Sequence, residues 1–198
     1  MGHEALDPLP DGDVLIHAGD ATGGTLQSTL TFLRWFASQP HRYKLFVPGN
    51  HDSYVEHALG ITRGLVPPSV TLLIDEACEI AGRVFYGSPW TPEFLHWAFM
   101  RPRGEGMARV WSGIPDDTAV LITHGPPHGI LDVHETPPRA SGCEALRWRV
   151  EQLPQLELHV FGHIHESYGR RTVDGRVFVN AATWMPEYRP IVVDLPAR

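Results

Sequence analysis

An α/β fold with at least one mixed sheet is what this sequence predicts, on three observations. Short apolar runs bounded by Gly, Pro, Asn or Asp recur along the chain; two stretches between them carry helical spacing; and the runs crowd together in the second half. With 198 residues, 42% of them apolar, the chain is long enough to bury one continuous core. The expectation is one domain over residues 1–198, with an atypical, flexible start over 1–11.

The start MGHEALDPLP is a poor strand, because Pro8 and Pro10 lack backbone donors and apolar residues are few. VLIHAGD (14–20) is the first strand-like run, and it delivers Asp20 to a carboxyl end, where open α/β sheets hold their ligands. TLQSTLTFLRWFASQ (25–39) spaces Leu26, Leu30, Leu33 and Phe36 by three and four, and Pro40 stops it, so a helix is predicted. YKLFVPGNHD (43–52), VTLLID (70–75), RVFYGSPW (83–90) and TAVLITHGPP (118–127) read as further strands with their exit turns. The Pro/Gly-rich stretch 125–142 reads as a long functional loop, since strand signals of similar composition resume beyond it. GCEALRWRVEQL (142–153) is a second helix, ended by Pro154, and LELHVFGHIH (156–165), RVFVNAAT (176–183) and PIVVDL (190–195) complete the strands.

A formal charge of −7 offers no basic face for duplex nucleic acid. A small anionic substrate would then need a bound cation to hold it. Two cysteines, Cys78 and Cys143, lie far apart and outside any C-x-x-C spacing, which argues against a disulfide framework or a zinc-thiolate site and for a reducing, cytoplasmic setting. No apolar run approaches the roughly 18 residues of a membrane span, and the acidic start lacks the features of a signal peptide. Neither a membrane nor duplex nucleic acid is expected as a partner, and no pattern sets an oligomeric state.

Four strand ends carry polar residues of one chemical kind: Asp20 in AGD, Asn50, His51 and Asp52 in PGNHD, His124 in THGPP, and His163 and His165 in FGHIH. Each follows an apolar run and adjoins a glycine, so parallel strands would bring them to one sheet edge. In GHIH the histidines stand at i and i+2, which on extended backbone puts both on one side, able to reach two adjacent ions. Imidazole, carboxylate and amide oxygen suit Mn²⁺, Fe²⁺, Zn²⁺ or Ni²⁺ better than Ca²⁺. Taken singly, GD is commonly a turn former or helix cap and GNHD a turn. It is the ordered set that argues for metal.

That order and content resemble the calcineurin-like metallophosphoesterase family, in its small metallophosphoesterase-domain branch, through GDVLIHAGD, PGNHD, YGSPW, ITHGPPHGILD and FGHIHESYG. The likeness runs from residue 12 to residue 195. It implies a four-layer α/β/β/α sandwich and a metal-dependent phosphoesterase that hydrolyses phosphodiesters, cyclic nucleotides among them, or phosphomonoesters with a metal-activated hydroxide. By the same resemblance Asp20 bridges two metal sites, Asn50, His124 and His163 complete one, and His165 serves the other. Mn²⁺ is the favoured ion. His51 would contact the phosphoryl group or protonate the leaving oxygen, oriented by Asp52.

The family's opening D-x-H has no counterpart before Asp20, as though the chain began one strand late. The expectation is a missing first strand, a groove beside residues 13–18, one usable metal site and one weak one, with His3 as a candidate replacement ligand. A different class of reading follows from that gap: a low-turnover nucleotide- or phosphate-binding protein with a one-metal site. His128, in the loop after His124, and Trp90, as a wall for a nucleobase, are the substrate-binding candidates. His17 and His159 lie inside apolar runs and are expected either in the core with their polar atoms satisfied or behind the ligands, supporting them.

Overall fold

The computed structural model describes residues 8–135, 138–183 and 189–196. In chain order the elements are β1 (Val14–Ala18), α1 (Leu26–Ser38), β2 (Tyr43–Val47), α2 (Ser53–His57), α3 (Leu59–Leu65), β3 (Thr71–Leu72), β4 (Glu76–Ile80), β5 (Arg83–Ser88), β6 (Thr91–Pro92), β7 (Met100–Arg101), α4 (Glu105–Trp111), β8 (Thr118–Thr123), β9 (Val133–Glu135), β10 (Pro138–Ala140), α5 (Glu144–Gln152), β11 (Leu158–Phe161), β12 (Gly169–Val173) and β13 (Arg176–Asn180).

Two sheets carry the fold. One is parallel, in the order β1-β2-β3; the other is mixed, in the order β12-β13-β11-β8-β5-β4, with parallel pairing from β13 to β5 and an antiparallel strand at each edge. Strand alternation sorts side chains into layers. On β2, Leu45 and Val47 face the space between the sheets while Phe46 packs outward with Phe32, Leu33 and Phe36 of α1. On β8, Val120 and Ile122 meet that same inner layer while Leu121 turns to Met107 and Trp111 of α4 and Leu146 and Val150 of α5. Helix, sheet, sheet, helix is therefore the order of layers, as the α/β sandwich expectation required.

Local chemistry accounts for the helices that hold this frame. Thr25 caps α1 through its hydroxyl on the Ser28 N–H, and the Ser28 hydroxyl returns a bond to the Thr25 N–H. The helix stops at Ser38, just before Gln39 and Pro40, as its spacing predicted. The second predicted helix is α5.

Several expectations are corrected. PIVVDL joins no described ladder; residues 191–195 instead turn Ile191, Val193 and Leu195 onto the inter-sheet layer while Val192 is exposed. VTLLID contributes only the two residues of β3. The loop after His124 contains the hairpin β9-β10, and buried Asp132 closes it by accepting the N–H groups of Gly129 and Gly142. Strand β4 and helices α2 to α4 were not signalled by periodicity, since all are short or largely polar.

Among the described residues β1 pairs only with β2 and stands at a sheet edge, although apolar residues cover both its faces, which is the pattern of an interior strand. Beside it lies the groove expected from the sequence. It has a volume of about 2020 Å³, passes between β1 and residues 191–195, and reaches the residues at the carboxyl ends of β1, β2 and β11.

Candidate metal centre

The four polar strand ends meet where the sequence implied. Asp20 leaves β1 through Gly19, Asn50 leaves β2 through Gly49, His124 directly ends β8, and His163 leaves β11 through Gly162. Gly19 has φ of 103°, and a Cβ there would overlap the His124 ring; a Cβ on Gly49 would overlap both the Asp20 carboxylate and that ring. Both glycines are thus needed for the approach of the ligand side chains. Asp20 (φ 58°) and His163 (φ 67°) themselves occupy left-handed backbone, a strain typical of functional positions.

One ligand atom each from Asp20, His124 and His163 lies within 4.8 Å of the others. His124 Nδ1 is 2.9 Å from the Ala18 carbonyl, an obligate acceptor, so this nitrogen carries a proton. In the neutral ring Nε2 then offers a lone pair, and it faces Asn50 Oδ1 at 2.7 Å and Asp20 Oδ1 at 3.4 Å. Three electron-pair donors converge, while the Asn50 Nδ2 amide is buried without a partner among the described residues. A borderline divalent cation fits this donor set; in its place, a second proton on His124 is the alternative.

Electrostatics agree. Burial alone would raise the Asp20 carboxyl, but the His124 ring and the His51 N–H, 2.9 Å from Oδ1, hold it well below the usual carboxylate range. Burial opposes protonation of His124, yet the adjoining Asp20 charge wins and raises its pKa.

Asp52 has a different part from the one expected. Its fully buried carboxylate accepts the N–H groups of Gly49 (2.6 Å), Thr22 (2.8 Å) and Ala21 (3.3 Å), so it staples the loop after β1 to the loop after β2. Its orienting action falls on these backbones and, through them, on Asp20 and Asn50. Burial and the neighbouring Asp20 charge push its pKa up to about 6, against the bonds from Gly49 and Thr22 and the His124 charge.

His51 is exposed at the groove, beside the Trp97 ring at 4.7 Å between centroids. His165 lines the same groove but opens a 3-10 turn, His165–Ser167. With His163 in left-handed backbone, the extended i, i+2 geometry assumed for GHIH does not occur. Burial lowers the His165 pKa, and the charges of Asp20, His124 and His51 all reach it.

The two substrate-binding candidates lie elsewhere. Trp90 donates Nε1–H to Asp75 at 2.6 Å, and the Arg101 guanidinium covers its ring at 3.7 Å. His128 lies 3.7 Å from buried Asp132 and does not line the groove. His3 lies outside the described residues. Half-buried His17 packs edge-on against Phe32 and Phe46 and lines the groove, while fully buried His159 bonds Thr123 Oγ1 at 2.8 Å in the core.

A parallel-strand sandwich with Asp, Asn and two His converging at its strand ends is the arrangement of a metal-dependent phosphoesterase. The sequence profile of the calcineurin-like phosphoesterase family matches residues 3–167, and the chain belongs to that family. Human metallophosphoesterase domain-containing protein 1 is 37% identical over 225 aligned residues, which cover 98% of this chain and 68% of that one. A Caenorhabditis elegans protein of the UPF0046 group is 38% identical over 216 residues, covering 99% and 73%. A solved crystal structure shares the fold with a TM-score of 0.60 at 19% identity, covering 79% of this chain and 63% of that chain.

Proposed function

We propose that the protein hydrolyses small phosphodiesters, cyclic nucleotides among them, with Mn²⁺ as its working ion and the cytoplasm as its setting. The convergence of His124 Nε2, Asn50 Oδ1 and Asp20 Oδ1 carries the reading. These residues and His163 would hold one ion; Asp20 and His165 would supply part of a second site. A divalent ion there supplies Lewis acidity toward a phosphoryl oxygen and an activated water. The protein's own groups do the rest. Asp52 fixes the two loops, Asp20 and the histidines supply the ligand set, and His51 stands in the groove to deliver a proton to the departing oxygen as the P–O bond breaks and water adds to phosphorus. A formal charge of −7, with no basic face for a polyanion, supports a small ester rather than duplex nucleic acid as the substrate.

The test is release of p-nitrophenol from bis(p-nitrophenyl) phosphate and from p-nitrophenyl phosphate as Mn²⁺ is titrated, with bound metal counted by mass spectrometry. Faster turnover of the diester, lost in Asp20→Asn and cut about a hundredfold or more in His51→Ala with metal retained, is expected. The partial second site favours one alternative, a nucleotide- or phosphate-binding protein of low turnover. Thermal protection by AMP without any product release would favour it.

A further inference from the structure

The segment between β6 and β7 places large apolar side chains in water beside the centre. Its two ends are fixed. Thr91 N–H bonds the Phe99 carbonyl, Ala98 N–H bonds the Asn50 carbonyl at 3.2 Å, Phe99 N–H bonds Glu56, and Ala98 and Phe99 are buried against Val55. Between these anchors Phe94 is 64% exposed, Leu95 56% and Trp97 41%, and Leu95 takes a left-handed φ of 74°. Phe94 meets Trp97 edge-to-face at 6.1 Å, and Trp97 meets the His51 ring at 4.7 Å. An apolar group of this size left in water at the rim of a polar centre marks a binding surface.

Resting on the phosphoesterase reading above, we propose that Trp97, with Phe94 at its edge, sets substrate specificity by stacking against a flat aromatic ring on the alcohol side of the scissile ester. The path is short: a phosphoryl group at the Asp20, His124 and His163 cluster presents its leaving oxygen to His51, and the substituent on that oxygen meets Trp97 next. Trp97 lines the groove with Asp20, Asn50, His51, His163 and His165. Trp90 is excluded from this part because Arg101 already occupies its ring face and Asp75 its N–H. Either a nucleobase or a simple aryl group carries the required chemistry.

Trp97→Ala and Trp97→Phe in the full, Mn²⁺-loaded chain test the proposal. The ratio of kcat/KM for bis(p-nitrophenyl) phosphate to that for glycerophosphoethanolamine, an aliphatic diester, is expected to fall about tenfold in Trp97→Ala and to recover largely in Trp97→Phe. A ratio unchanged in Trp97→Ala overturns it. Calorimetric titration with AMP and with phenyl phosphate gives an arm free of turnover: Trp97→Ala should weaken at least one of the two about tenfold. Loss for AMP alone identifies a nucleobase as the ring, loss for both any aryl group, and loss for neither overturns the proposal. If the unaltered protein hydrolyses neither ester, the phosphoesterase reading falls and the titrations still decide the part of Trp97.

Discussion

Nε2 of His124 stands 2.7 Å from Oδ1 of Asn50, two acceptors face to face unless a proton or a cation lies between them. The Asp20 charge raises the His124 pKa and so favours that proton when no metal is bound. Metal and proton therefore compete. Mn²⁺ binding should release a proton and weaken as pH falls, and Asn50→Ala should cost at least about tenfold in affinity. Calorimetry in two buffers of unlike ionisation heat checks this, and equal heats would refute it.

Gly49→Ala should empty the centre, since the added methyl overlaps the Asp20 carboxylate, the Asp20 backbone nitrogen and the His124 ring and so pushes apart the loops after β1 and β2, while the sheets themselves are untouched. Metal content should drop to background with the far-ultraviolet circular dichroism unchanged. Gly60→Ala in α3, where nothing lies within 4 Å, is the control and should bind metal normally.

Asp52→Ala strands the N–H groups of Gly49, Thr22 and Ala21 in a buried site. Unpaired buried donors cost about 1–3 kcal/mol each, so with partial relaxation a loss of about 3 kcal/mol is expected in urea unfolding of the metal-free protein. A loss below about 1 kcal/mol would show that the staple is not needed.

His159 is neutral in the fold, its pKa pushed down to about 3 by burial, and returns to about 6.5 when unfolded. A depressed histidine pKa means that the unfolded chain binds the proton more tightly. The stability that His159 contributes is thus complete above pH 6.5 and drains as pH falls toward 3, by roughly 1 kcal/mol per pH unit. His159→Phe should flatten the fall in stability between pH 6 and pH 4 relative to the unaltered chain.

Asp20, Asn50, His124 and His163 were legible in the sequence because each ends an apolar run next to a glycine, and parallel strands carry such ends to one edge. The four layers came from the family resemblance and not from residue pattern, since a run such as TAVLIT is buried on both faces and shows no polar alternation. The Asp52 staple was not, since two of its donors lie some thirty residues away in another loop. Trp90 and Trp97 share one aromatic stretch, and it is Arg101 over the ring of the first and Asp75 on its N–H that tell them apart. The positive φ of His163, which undoes the i, i+2 geometry of GHIH, leaves no trace in residue type. PIVVDL has strand composition, yet no described neighbour completes a ladder with it.

Asp20 and Asn50 hang from the three-stranded sheet, His124 and His163 from the six-stranded one. An ion gripped by all four is a rivet through the sandwich, joining two halves that otherwise meet through side-chain packing and a few hydrogen bonds such as that from His124 to Ala18. Chelation would do more than silence chemistry: it would free the two sheets to shear, and β1, which among the described residues pairs with a strand on one side alone, would be the first strand to exchange its amide hydrogens with solvent.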